Sequence, residues 1–335
     1  MTRFFFFVLA LLGAGCTGTV GELDGGSTGT DAGGLDAGPP PLRYTQFTQR
    51  ADGWPAGARL VGAAVLDNVL FAATTQGLVQ LPATDTRWQP VTTPLAGDVV
   101  PTSLQRVDQS LVMTAAGSSG GGLYLKPFDG EWSQVTTAPS APAWALVKKS
   151  SSYLLATTGG LFAATSLDGT WARRSAMNTP LFTARTTRLV AAAAQQKLFA
   201  SGDPGAGFGG LFESSDLGQT WAASAPMGQV EALAATGAFV LVSTATDGQL
   251  RSDNYGNTFR AAAMPISGGV LTFSVQGGRF WAGGNGGVLR SDDDGATFVD
   301  ASSGLAPGTA VRALFFAGSY LLVDTPDGPW LTQVE

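Results

Sequence analysis

The sequence contains no histidine and a single cysteine, Cys16, and each shortage closes off chemistry. Without histidine there is no imidazole for a serine-type triad, for a histidine metal site or for acid–base catalysis near neutral pH. Charged side chains are scarce, at 13% of 335 residues, and the 19 lysines and arginines are scattered, with no run longer than the pairs Lys148–Lys149 and Arg173–Arg174. With a formal net charge of −6, the chain lacks the dense basic stripe that neutralises phosphates, so nucleic acid is not an expected partner. Long stretches of 3.6-residue periodicity are missing too. Apolar runs are short and broken by Gly, Pro, Thr, Ser and Asp, which predicts an all-β chain with many tight turns. A hydrophobic content of 44% is enough to bury a large core. Length alone suggests two or three domains, but the repeats described below argue for one.

The N-terminus reads as an address. MTR gives a basic start, FFFFVLALL is an apolar core of nine residues, and small residues lead up to Cys16. That core is too short to span a bilayer and fits a secretory signal peptide over residues 1–15. The lone cysteine directly after it resembles the lipobox of bacterial lipoproteins, in which the cysteine becomes the lipidated first residue. One departure is Gly13 three places before Cys16, where the family pattern prefers Leu; Leu12 lies one place earlier. The alternative is an ordinary signal peptide followed by an unpaired thiol, and the liability of a free thiol in an oxidising envelope favours lipidation. By the same resemblance, Thr17 rather than Asp after the cysteine implies outer-membrane retention. Residues 16–41 continue as a Gly-, Thr-, Asp- and Pro-rich tether with too little apolar surface to fold. As a Gly-rich coil it holds the rest roughly 25 to 30 Å from its anchor.

Beyond the tether the chain repeats. A Gly followed by a short apolar strand recurs at Gly77, Gly122, Gly160, Gly210, Gly248, Gly287 and Gly328, at spacings of 38 to 50 residues. Each is preceded by another apolar strand, such as VLFAATT or YLLVDTP, and that strand by a third, such as VEALAA or VRALFF. After six of the seven copies an aromatic opens a fourth strand, at Trp88, Trp132, Trp171, Trp221, Phe259 and Phe298. Four strands per unit at this period is the signature of a seven-bladed β-propeller, in which each small sheet packs face to face on its neighbours. The seventh unit lacks its fourth strand, because the sequence stops at Glu335. Phe47 and Gly53 are spaced like Phe298 and Gly304, so residues 44–50 are expected to supply that strand and close the ring without an open edge.

Three stretches share the pattern S-x-D/N-x-G-x-T-W/F: Ser214, Asp216, Gly218, Thr220 and Trp221; Ser252, Asn254, Gly256, Thr258 and Phe259; Ser291, Asp293, Gly295, Thr297 and Phe298. Shortened relatives lie at 165–171 and 128–132. They resemble the Asp-boxes, or bacterial neuraminidase repeats, found in neuraminidases, sortilin-like receptors, plant-cell-wall glycosidases and photosystem assembly factors. A tight turn between third and fourth strands needs Gly at positive φ, a short Asp or Asn to accept turn amides, hydroxyls for other turn groups, and an aromatic anchor. That account is structural, and it covers the tempting run Asp292–Asp294 without a metal.

Function is therefore expected on the opposite face, around the mouth of the central channel, where second-to-third turns and blade-to-blade connections converge. Aligning units on the leucine of the first strand places Ala58, Thr102, Trp144, Thr187, Glu231, Gly269 and Arg312 in one ring there. The acidic candidates by loop position are Asp203, Glu231, Asp247, Asp324 and Asp327. Loop 202–210 makes the fourth blade the longest, and it is a tolerated insertion or a binding loop. Sialidases of this resemblance need an arginine triad and an F/Y-R-I-P motif, and ARLVG at Ala58 lacks both aromatic and proline. Glycosidases need two carboxylates about 5 to 10 Å apart, and no pair stands out by spacing. The sequence thus predicts a monomeric envelope lipoprotein whose propeller serves as a binding or assembly module for a protein or glycan partner, without cofactor, metal or catalytic residues. A carbohydrate-active hydrolase with carboxylates at the channel mouth is the alternative.

Overall fold

The computed structural model describes residues 45–174, 188–191, 197–201, 210–225, 228–266 and 269–334, and within these every regular element is a β-strand. The first strand, β1 (Thr48–Gln49), belongs to the last blade. Blade 1 runs through β2 (Leu60–Leu66), β3 (Val69–Thr74), β4 (Gly77–Pro82) and β5 (Gln89–Pro90), and blade 2 through β6 (Val100–Val107), β7 (Ser110–Gly117), β8 (Gly120–Pro127) and β9 (Ser133–Gln134). Blade 3 holds β10 (Ala143–Lys149), β11 (Ser152–Thr157), β12 (Gly160–Ala164) and β13 (Ala172–Arg173), and blade 4 holds β14 (Arg188–Ala191), β15 (Leu198–Ser201), β16 (Leu211–Ser214) and β17 (Ala222–Ala225). Blade 5 comprises β18 (Val230–Thr236), β19 (Phe239–Thr244), β20 (Gly248–Ser252) and β21 (Arg260–Ala261). Blade 6 comprises β22 (Val270–Gln276), β23 (Arg279–Gly284), β24 (Gly287–Ser291) and β25 (Val299–Asp300). Blade 7 is β26 (Ala313–Ala317), β27 (Tyr320–Thr325), β28 (Gly328–Gln333) and, returning from the start of the chain, β1.

The seven sheets are antiparallel meanders, and the apolar side chains on their two faces form seven clusters, one at each contact between neighbouring blades. Side-chain alternation along a strand explains the arrangement. In β27, Leu321 and Val323 face blade 6, whereas Leu322 faces blade 1 together with Ala313 and Phe315. No single sheet could bury both faces by itself, so stability comes from the stacking.

The ring closes as the match between Phe47 and Phe298 predicts. β1 pairs with β28 through Thr48 with Leu331 and Gln49 with Trp330, and the amides of Thr45 and Arg50 donate to Gln333 and Pro329 at 3.0 and 2.9 Å. Phe47 is buried, as Phe298 is. Gly53 and Gly304 both have positive φ, 74° and 95°, and each lies where a Cβ would collide with the backbone of the next blade's fourth-strand aromatic, Trp88 and Phe47 respectively.

Candidate functional site

A meander places first-to-second and third-to-fourth turns on one face of the ring, and second-to-third turns and blade connections on the other. On the first face lie the three aspartate turns. Ser214 Oγ donates to Asp216 Oδ1 at 2.7 Å and accepts the Gly218 amide at 2.8 Å, while Asp216 accepts the Thr220 amide and hydroxyl at 2.9 and 2.6 Å. The set Ser291, Asp293, Gly295 and Thr297 repeats these bonds. Asn254 keeps the carbonyl acceptor and turns the last bond around, its amide donating to Thr258 Oγ1 at 2.8 Å. Gly218, Gly256 and Gly295 have φ of 82°, 78° and 80°. Each glycine also touches the preceding blade: a Cβ on Gly256 would lie 2.6 Å from the Phe199 ring. Trp221, Phe259 and Phe298 pack into the interblade clusters. Burial raises the Asp216 and Asp293 carboxyls, but the bonds from Thr220 and Thr297 and from the serines outweigh it and hold both below the ordinary value. The acidic run is committed as well: Asp292 pairs with Arg279 and Arg290, each at 2.8 Å, and the Asp294 carbonyl accepts Arg251 Nε at 2.9 Å.

On the opposite face the first strands carry a repeated irregularity. In β2, β6, β10, β18 and β22 the pairing skips one residue: Val61, Thr102, Trp144, Glu231 and Leu271. The register of Ala313 with Asp324 puts Arg312 at the same place in blade 7. This corrects the sequence alignment at two positions, because Val61 and Leu271 replace Ala58 and Gly269. The leucines used as anchors, Leu60 and Leu271, are not equivalent to Leu104, Leu146, Leu233 and Leu314; Ala63 and Phe273 hold that place. Thr187 and Asp203, with most of loop 202–210, lie outside the described residues, as do Cys16 and the tether.

The structure divides the remaining candidates. Asp247 is a local clasp that accepts the Gly228 amide at 2.6 Å and the Thr246 hydroxyl at 3.1 Å, and these bonds depress its carboxyl. Asp327 is exposed in the turn before β28, with its amide on Thr325 Oγ1. Trp144, Glu231 and Arg312 are half-buried. Asp324 is different: it is 1% exposed, and neither carboxyl oxygen has a hydrogen-bond partner.

Asp324 stands at one position of the second strand that recurs in every blade, occupied elsewhere by Ala73, Thr114, Ala156, Ser201, Ser243 and Gly283. The position is tight, since a Cβ on Gly283 would already lie 2.6 Å from Val311 Cγ1 of the next blade. Six blades fill it with small side chains and the seventh with a carboxylate. Its surroundings are Arg312, whose amide donates to the Asp324 carbonyl at 2.9 Å, and Arg59, which precedes β2 across the seam between blades 7 and 1. Burial pushes the carboxyl up to about 6; the positive charges of Arg312 and Arg59 and the nearby Leu60 amide oppose the rise without reversing it. That amide does not close a hydrogen bond to the carboxyl. Both arginines are half-buried, and among the described residues neither guanidinium has an ion pair or a hydrogen bond. Arg59 escaped the sequence reading because only closure of the ring brings it beside a residue 265 positions away.

The fold and this seam define a seven-bladed β-propeller with a buried carboxyl and two arginines where blades 7 and 1 meet. No family model matches the chain, and a search of curated proteins finds no match either. Among solved structures the chain is similar to YCF48 from Cyanidioschyzon merolae, at 16% identity and TM-score 0.62, over 86% of this chain and 98% of that one. It is similar to YCF48 bound to D1 peptide, at 16% identity and TM-score 0.62 over 90% and 98%. A catalytically inactive virginiamycin B lyase from Staphylococcus aureus, solved with quinupristin, matches at 9% identity and TM-score 0.60 over 88% and 99%. At these identities the likeness is one of fold.

Proposed function

We propose that the protein is a monomeric, non-catalytic binding module of the bacterial cell envelope, an Asp-box propeller held to the outer membrane through lipid on Cys16. Its mouth face takes a segment of a protein partner. The observation that carries this reading is the seam cluster, two half-buried guanidiniums that among the described residues make no hydrogen bond or close ion pair, beside a buried carboxyl, on the face that carries none of the aspartate turns. Buried or half-buried charge without compensation lowers stability, and such arrangements concentrate where proteins bind or react. The peptide complex of YCF48 supports a peptide as the kind of ligand this fold can serve.

The hydrolase alternative finds less support. Asp247 is committed to its loop and Asp324 is closed off from solvent, so neither is placed as the acid or nucleophile of a glycosidase. Probing peptide and glycan arrays with the full chain tests the reading. Saturable peptide binding without turnover is the expected result; release of sugar from any glycoside would contradict it.

A further inference from the structure

We propose that the seam between blades 7 and 1 is a carboxylate-binding site, in which Arg59 and Arg312 grip a carboxylate of a peptide ligand above the buried side chain of Asp324. This rests on the reading of a protein partner and names the chemistry by which the partner is recognised. Each guanidinium offers a planar fork of N–H donors suited to a carboxylate, and here the two forks arrive from two connections that the fold brings together only at the seam. With Asp324 ionised the cluster carries one net positive charge, and with it protonated two, so an anion is favoured in either state. Leu60 and Val311 beside it are fully buried, so the cluster reaches solvent through the guanidiniums. The largely apolar cleft of about 300 Å³ lined by Gln276, Phe316 and Val334 lies at the first-to-second turns, on the other face.

The buried acid gives the site a second property. The charged groups facing Asp324 are Arg312 from the entry to its own blade and Arg59 from blade 1; β2, β3, β26 and β28 carry no titratable side chain. A ligand carboxylate brought onto the two arginines adds a negative charge beside Asp324 and favours its protonated form. Binding then takes up a proton, and affinity falls as the pH rises through the range in which free Asp324 ionises.

The test titrates the full chain with the tripeptide N-acetyl-Ala-Ala-Ala bearing a free carboxylate, with its C-terminal amide, and with glucuronate, following binding by NMR at pH 5.5 and 7.5. The acid is expected to bind at least about tenfold more tightly than the amide, and Arg59→Gln or Arg312→Gln to lose about tenfold or more while remaining folded. Affinity for the acid is expected to fall about tenfold from pH 5.5 to 7.5, and Asp324→Asn to abolish that dependence. Equal binding of acid and amide by the unmodified chain overturns the site, with no variant needed. Unchanged affinity in both folded arginine variants overturns it as well, and a pH dependence that survives Asp324→Asn removes the proton uptake. Glucuronate binding more tightly than the tripeptide overturns the peptide source. If these titrations succeed but no protein partner is found at the mouth in cells, the module reading fails and the site stands.

Discussion

Replacing Asp324 with alanine should make the protein more stable at neutral pH. Ala73 and Ala156 occupy the same position in blades 1 and 3, so a methyl group fits there. The carboxyl is raised from 3.8 to about 6 in the folded chain, chiefly by burial. A group whose folded pKa exceeds its unfolded value binds more protons when folded, so between those two values stability falls as the pH rises. The gap of about two units, at 1.36 kcal/mol each, amounts to about 3 kcal/mol lost by pH 7.5 and absent below pH 3.8. The variant lacks this loss. Urea unfolding followed by tryptophan fluorescence, on both proteins from pH 4 to 8, gives the difference in stability at each pH. Constant effects of the substitution, such as lost contacts, cancel from the change in that difference, which should grow by about 2 to 3 kcal/mol in favour of the variant. A flat difference would show that Asp324 titrates normally. A difference that moves the other way would mean that the two arginines stabilise the ionised carboxylate after all, as in a net favourable ion pair.

Three further outcomes are expected. Asp216→Ala or Asp293→Ala should cost about 1 to 3 kcal/mol in chemical denaturation, because turn amides and hydroxyls lose their acceptor, and should leave partner binding intact. Since both carboxyls are depressed, the stability they contribute is present above pH 3.8 and is lost as the pH falls through their folded values, so each alanine variant should converge on the parent in acid. Deleting residues 17–40 should leave the melting temperature nearly unchanged, whereas deleting 17–50 removes Phe47 and β1, exposes the edge of β28, and should lower it by several degrees with association visible in light scattering. Cys16→Ser should move the protein from the membrane to the soluble envelope fraction, and unchanged membrane association would refute the lipid anchor.

The parts of this molecule that repeat were legible, because each repeat reports the same local physics. A glycine at positive φ, an aspartate that accepts turn amides and an aromatic anchor recur together in Gly218, Asp216 and Trp221 and their counterparts, and the register of Phe47 with Phe298 gave the closing strand. What escaped was whatever depends on position in the ring. Leu60 and Leu271 look like the first-strand leucines of other blades, yet the skipped residue in each strand shows that Ala63 and Phe273 are the true equivalents. Asp324 was visible as an acid near a loop, but its burial arises from the packing of blade 1 against blade 7, as does its proximity to Arg59. No local pattern announces a contact made only when the two ends of a sequence meet.

A partner is expected at the mouth face, opposite the aspartate turns. A photo-crosslinking benzoylphenylalanine placed at Trp144, half-buried at the mouth, and at Ala296, exposed in the third aspartate turn, asks this directly in living cells. The account predicts one discrete adduct from position 144, weakened by Arg59→Gln with Arg312→Gln, and none from position 296. An adduct from position 296 alone would place the partner on the wrong face and contradict it.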